Sequence, residues 1–160
     1  MRGKLSDEIK QRRPFRSREE EALLNVLRTA DKLTQRLAAA LKPFDLTPSQ
    51  YNVLRILRGA GAEGRRCGEI AERLVAHDPD VTRLLDRLER AALVTRTRDP
   101  DDRRVVRNRI TAEGRAALEH ADQPVTAVAA ESFGALGTPA LGQLIAALES
   151  VRTDVDQPAD

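Results

Sequence analysis

One cysteine, two histidines, one tyrosine, three phenylalanines and no tryptophan among 160 residues remove several kinds of function at once. Cys67 has no intrachain partner for a disulfide. With His77 and His120 it makes no metal-ligand pattern of recognised spacing, so neither a metal nor a cofactor is expected. Proteins that hold single strands or RNA stack bases on aromatic platforms. Phe15, Phe44, Tyr51 and Phe133 are too few for that, which leaves duplex DNA as the better nucleic-acid partner. No apolar run approaches the ~20 residues of a membrane-spanning helix, and the opening MRGKLSDEIKQRR lacks the apolar stretch of a secretory signal, so a cytoplasmic location is expected. A Gly-rich phosphate loop, paired carboxylates in an apolar setting and a nucleophile with a histidine partner are missing too; the chain does not read as an enzyme.

What is present fits a single helix-rich globular unit: 41% hydrophobic and 32% charged residues in a length that can bury one ordinary core. The net charge of +2 conceals an asymmetry, with +5 over residues 1–64, +3 over 65–115 and −6 over 116–160. Phosphate binding needs local positive charge, and the first 115 residues can supply it. Random scatter over a solvated surface is the alternative reading of the same charges.

Along the chain, residues 1–16 are polar and basic and are expected to extend as a flexible or loosely docked arm. Ser17 with Glu20 forms a capping-box signature, and Leu23, Leu27, Ala30, Leu33, Leu37 and Leu41 mark a long helix ending before Pro43. Thr47-Pro48-Ser49-Gln50 repeats the signal with Pro48 at the first helical position, and the helix that follows presents Tyr51, Val53, Leu54 and Leu57. After the glycine-rich bend at 59–64, a short helix is expected over Cys67 to Val75. Asp78 is placed to cap the next helix, with Pro79 in its first turn, so residues 68–92 read as a helix-turn-helix. Thr111 caps a helix running to about Gly134 with Pro124 inside it, and a last helix carries Leu141, Leu144, Ile145, Leu148 and Val151.

Between Val81 and Thr111 the hydrophobic period changes. Val81, Leu84, Leu85, Leu88, Ala92 and Leu93 form a helical stripe opposite Thr82, Arg83, Asp86, Arg87 and Arg90. From Val94 the period is two. Asp99-Pro100-Asp101-Asp102 makes a turn, and Arg104 to Ile110 returns as a second strand. An arginine-bearing helix running into a basic hairpin is the layout of a winged helix. The fold class expected is therefore mainly α with a small β-hairpin wing. The boundaries are an N-terminal helix over 17–45, a winged helix-turn-helix over 46–111 and C-terminal helices over 112–155. The long apolar stripes of the first and last helices exceed what the small core can use, so these helices are expected to form a twofold homodimer.

The segments LTPSQYNVLRIL (46–57), EIAERL (69–74), VTRLLDRLERAALV (81–94) and DPDDRRVVRNRITAEG (99–114) make the chain resemble the MarR family of bacterial transcriptional regulators over roughly residues 20–152. The resemblance implies a homodimer on a palindromic operator, with one recognition helix per major groove and the wings reaching outward. It also implies repression relieved by a small aromatic effector or by thiol oxidation. On that frame Pro79, Asp80, Thr82 and Arg83 face the major groove, where arginine reads guanine and aspartate accepts from cytosine, and Arg87 lies one turn further on. Asp102 and Arg104 match a family pair in which the carboxylate steadies the hairpin and the arginine enters the minor groove; Arg103 is next, for phosphate. A surface salt-bridge ladder is the competing account of Arg103 and Arg104, and Arg96, Arg98, Arg107 and Arg109 have a plain reading as solvated cross-strand residues.

Two departures from the family pattern stand out. Ala92 occupies the usual glycine position between recognition helix and wing, where a left-handed cap strains a Cβ. The first helix lacks the cysteine of the oxidation-sensing branch. Cys67, beside Arg65 and Arg66 at a helix start, is open to two accounts, a redox switch and a small buried or capping residue. The alternative overall function is a winged-helix protein-docking adaptor without specific DNA binding.

Overall fold

A computed structural model describes residues 4–99 and 102–156, the last three by backbone alone. Its order is α1 (Lys4–Glu8), α2 (Arg18–Leu41), α3 (Pro48–Ala60), α4 (Cys67–Ala71), α5 (Val81–Arg90), β1 (Val94–Arg98), β2 (Val106–Ile110), α6 (Ala112–Phe133) and α7 (Gly137–Asp156). This is the mainly helical winged-helix class expected, with the strands antiparallel from Val94 opposite Ile110 to Arg98 opposite Val106. No helix among the described residues is long and apolar enough to cross a membrane.

Helix starts follow the capping chemistry. At α2 the Ser17 hydroxyl accepts the Glu20 N–H at 3.2 Å, while the Glu20 carboxylate reaches past Ser17 to the Arg16 N–H at 2.5 Å. At α3 the box is reciprocal: Thr47 Oγ1 accepts from Gln50 N at 3.2 Å, and Gln50 Oε1 accepts from Thr47 N at 2.9 Å. Thr111 Oγ1 caps α6 through the Gly114 N–H and also donates to the Ala92 carbonyl at 2.8 Å, stitching the start of α6 to the end of α5.

The core sits where α3, α5, the wing and α6 meet. Val53, Leu54 and Leu57 from α3, Ile70 from α4, Leu85 and Leu88 from α5, Val94 from β1, and Leu118 and Ala121 from α6 are essentially inaccessible, joined by Leu41 at the end of α2. Burying residues from six elements in one cluster fixes α5 and the hairpin relative to the rest at roughly 25 cal/mol per Å² of apolar surface removed from water. The wing gains a third edge at Arg65. Its backbone N–H and C=O pair with those of Asn108 at 2.9 and 2.8 Å, and the Asn108 side-chain amide donates to the same carbonyl. Gly64 precedes it at φ +66, and a Cβ there would run into the Asn108 carbonyl oxygen, so only glycine permits this approach.

Three local expectations are corrected. The N-terminal arm is not wholly extended: Lys4–Glu8 is a short helix with Leu5 and Ser6 buried, and Glu8 binds Lys32 at 2.5 Å and Arg28 at 3.8 Å on α2. Residues 1–3 of that arm lie outside the described residues. The helix expected over Cys67 to Val75 is shorter. It ends at Ala71 in a tight turn, Arg73 N–H to Ile70 O and Leu74 N–H to Ala71 O, because Ile70 alone of its stripe is fully buried. The returning strand starts at Val106, leaving Arg103 and Arg104 in the turn.

Candidate nucleic-acid interface

α5 presents two opposed faces. Val81, Leu84, Leu85 and Leu88 are buried, whereas Thr82, Arg83, Arg87 and Arg90 are exposed. A helix bonded inward through one stripe leaves its other side free for a groove.

The cap of this helix is not where the residue order suggested. Asp80, rather than Asp78, is the N-cap: its Oδ1 accepts the Arg83 backbone N–H at 2.9 Å. Asp78 Oδ1 instead accepts the Asp80 N–H at 2.9 Å, an aspartate turn that sets the entry of the chain. Pro79 consequently stands before the helix, exposed in that turn, and not in the first helical turn. The physical reason is the buried Val81: starting the helix there puts it, Leu84, Leu85 and Leu88 on one inward stripe.

The wing is braced against α5 by Arg96, which is not a solvated cross-strand residue. Its side chain is only 22% exposed, with Nη1 2.6 Å from Asp86 and Nη2 donating to the Thr82 carbonyl at 3.1 Å. Its Nε stands 3.6 Å from Glu89, within ionic reach but too far to hydrogen bond. Arg107 and Arg109 are likewise engaged. Arg107 Nε binds Asp99 at 2.6 Å, and that hydrogen bond, against the pull of burial, raises the guanidinium pKa above its ordinary value. Arg109 Nε donates to the Ala62 carbonyl at 2.6 Å and Nη1 to Thr97. The sequence signal for the Arg96 brace was the acidic pair Asp86 and Glu89, three apart on one helical face.

At the wing tip, Asp102 Oδ1 accepts the Arg104 backbone N–H at 3.0 Å, the Val105 N–H returns to the Asp102 carbonyl at 2.9 Å, and Arg103 and Arg104 project as exposed cations. Pro100 and Asp101 lie outside the described residues. Cys67 is half-buried at the start of α4, with its Sγ 3.7 Å from Thr82 Oγ1. No group of three or more potential metal ligands occurs among the described residues.

A polar junction unseen in the sequence lies behind the core. Asp122 of α6 accepts from the Tyr51 hydroxyl and from Arg58 Nη1, both at 2.7 Å, and the Arg55 guanidinium stands 5.9 Å above the Tyr51 ring. Burial opposes ionisation of Asp122, but the hydrogen bonds from Arg58 and Tyr51 outweigh it and hold the carboxyl below its ordinary range. Burial, reinforced by the hydrogen bond to Asp122, pushes the Tyr51 hydroxyl up to about 12. Tyr51, Arg55 and Arg58 share a face of α3 at spacings of four and three, and through Tyr51 and Arg58 this face ties α3 to α6.

Comparison with known proteins places these features in a family context. The profile described as "MarR family" matches residues 46–106. The HTH-type transcriptional repressor MdtR of Bacillus subtilis is 35% identical over 83 residues, a match spanning 52% of this chain and only about half, 52%, of MdtR. The structure of a MarR transcription factor from Planctomyces limnophilus is 38% identical, with 85% of this chain and 98% of that one covered at a TM-score of 0.66. The transcriptional repressor CouR, bound to a 23-mer DNA duplex, is 30% identical with 81% and 90% covered at a TM-score of 0.72. CouR from Rhodococcus jostii RHA1 has also been solved with p-coumaroyl-CoA, at 26% identity, 91% and 100% coverage and a TM-score of 0.73.

Proposed function

The chain belongs to the MarR family of DNA-binding transcriptional regulators, and from that premise we propose that it is a cytoplasmic repressor that binds a palindromic operator as a homodimer and is released by a small-molecule signal. The observation that carries the reading is the joint presentation of the exposed face of α5 and the arginine tip of the wing, held together by Arg96. In this reading Thr82, Arg83 and Arg87 enter the major groove, Arg103 meets phosphate, and Arg104 enters the minor groove, whose narrow A/T-rich stretches concentrate negative potential.

Dimerisation is supported by what the single chain leaves uncovered. Leu23, Val26 and Leu27 of α2 and Ile145 and Val151 of α7 are all between 46% and 59% exposed. Apolar helix faces of this extent are ordinarily covered by a second subunit, and twofold symmetry then matches a palindrome. Release by a small molecule is supported by the similar CouR solved with p-coumaroyl-CoA.

Selection of duplexes from a random pool tests the proposal. A palindrome with half-sites about one helical turn apart, bound with steeply falling affinity as salt rises, is expected. Recovery of no common sequence, with affinity flat between low and moderate salt, would favour a protein-docking adaptor instead.

A further inference from the structure

One carboxylate does two things at the start of α5. Asp80 Oδ1 is committed to the cap, accepting the Arg83 backbone N–H at 2.9 Å, while Oδ2 lies 3.4 Å from Nε of the Arg83 side chain. Upstream, the Asp80 N–H is held by Asp78 at 2.9 Å. The Asp80 side chain is thus anchored through its own backbone and through one oxygen, and the place of the second oxygen follows from the cap. Arg83 itself is 71% exposed, so it has no packing to define its direction.

The choice of nitrogen matters. A guanidinium drawn toward the carboxylate on its Nε side, by an ion pair at 3.4 Å without a hydrogen bond, keeps its terminal edge, Nη1 and Nη2, directed away, and that edge carries the two parallel donors that match guanine O6 and N7. An acidic residue at a surface that meets phosphates is repulsive unless a cation neutralises it, and here the neutralising cation is the reading residue. An exposed pair of this kind adds little to folding stability. In a groove it acts differently, because narrowing the arginine's rotamers beforehand reduces the freedom lost on binding.

We infer that Asp80 is a positioning residue for base reading: it aims Arg83 at a guanine in each half-site and does not itself contact a base. This rests on the DNA-binding reading above. The role is separable from the cap, because asparagine caps a helix as well as aspartate but carries no charge for the guanidinium.

The experiment measures base preference at every position of the selected operator for the parent, Asp80→Asn, Arg83→Ala and the double variant, with thermal melts as the check on folding. The parent should prefer guanine at one position per half-site by about tenfold or more. Asp80→Asn should melt with the parent yet lose several-fold of that preference at that position alone. Arg83→Ala should abolish it, and adding Asp80→Asn to Arg83→Ala should change nothing further. An unchanged preference in Asp80→Asn overturns the inference. So does a uniform affinity gain on all sequences, which would make Asp80 a mere source of repulsion, and so does a preference shift that persists in the Arg83→Ala background, which would make Asp80 a reader. If the parent selects no palindrome and its duplex binding ignores salt, the underlying DNA-binding reading fails and takes this inference with it; a palindrome with an Asp80→Asn profile identical to the parent refutes only the positioning role.

Discussion

Arg96 of β1 reaches Asp86 of α5 with 2.6 Å between Nη1 and Oδ1, and from the same guanidinium it bonds the Thr82 carbonyl one turn earlier in the helix. One side chain therefore adds a polar brace, beside the shared core, between the two elements proposed to enter neighbouring grooves. Arg96→Ala should lower unfolding stability by about 1 kcal/mol, a modest figure because Asp86 remains partly solvated. Its larger effect should be on duplex affinity, down roughly tenfold, since misplacing the wing removes contacts that depend on geometry. Urea titration and DNA titration on the same samples check this; equal DNA affinity would show that the wing holds its place without the brace.

Ala92 sits at φ +59, in the left-handed region, with its N–H bonded to the Glu89 carbonyl at 2.9 Å and the following Leu93 N–H to Leu88 at 3.0 Å. The helix ends as a glycine-capped helix would, and the Cβ is strained by about 1–2 kcal/mol. Ala92→Gly removes that strain but adds backbone freedom to the unfolded chain. A net gain of about 0.5–1 kcal/mol is expected, a rise in Tm of roughly 2 °C for a chain of this size. A lowered Tm would contradict it.

Tyr51 is raised first by burial, Asp122 is lowered against burial chiefly by the Arg58 hydrogen bond, and the hydrogen bond the two share adds to both shifts. The Asp122 carboxyl is held below its ordinary 3.8, so its contribution is present above that pH and is lost as pH falls through the folded-state value. The Tyr51 hydroxyl is raised from 10.0 to about 12, so its contribution is present below pH 10 and fades as pH climbs toward 12. Asp122→Asn should therefore destabilise at neutral pH, with the gap to the parent closing in acid. Melts from pH 2 to 8 report it, and a gap constant across that range would refute the linkage.

Arg104 stands exposed at the wing tip while its backbone N–H is bound to Asp102. Arg104→Ala should weaken operator binding about tenfold at moderate salt, with the loss concentrated at A/T-rich flanks. Exchanging the flanks for G/C in the parent should mimic it. Equal losses on both flank types would reduce Arg104 to a phosphate contact.

Leu27 is 56% exposed on α2 in a stripe with Leu23. Leu27→Lys places a charge in the proposed subunit interface and should weaken dimerisation about a hundredfold, visible by sedimentation at micromolar concentration. Parent and variant sedimenting alike as dimers would move the interface elsewhere.

The wing arginines show where reading the chain stopped. Arg96, Arg98, Arg107 and Arg109 are indistinguishable as a two-residue alternation, yet three of them bind partners on α5, at Asp99, or in the 61–63 turn. Those partners are set by how the hairpin packs, which no local pattern records. Asp78 and Asp80 differ in the same way: both are good caps by type, and the inward stripe beginning at Val81 chose between them. The Tyr51, Arg58 and Asp122 junction spans 71 residues of chain and left no local trace.

Periodicity and capping chemistry were enough to locate the long helices, the inward stripe of α5 and the antiparallel hairpin, because those features depend on neighbours a few residues away. Tertiary packing alone decided which carboxylate caps α5, which arginine braces the wing and that Ala92 accepts a left-handed backbone. Each of these depends on how α5 packs against the core and the wing, and the energy of that packing exists only once the core has closed.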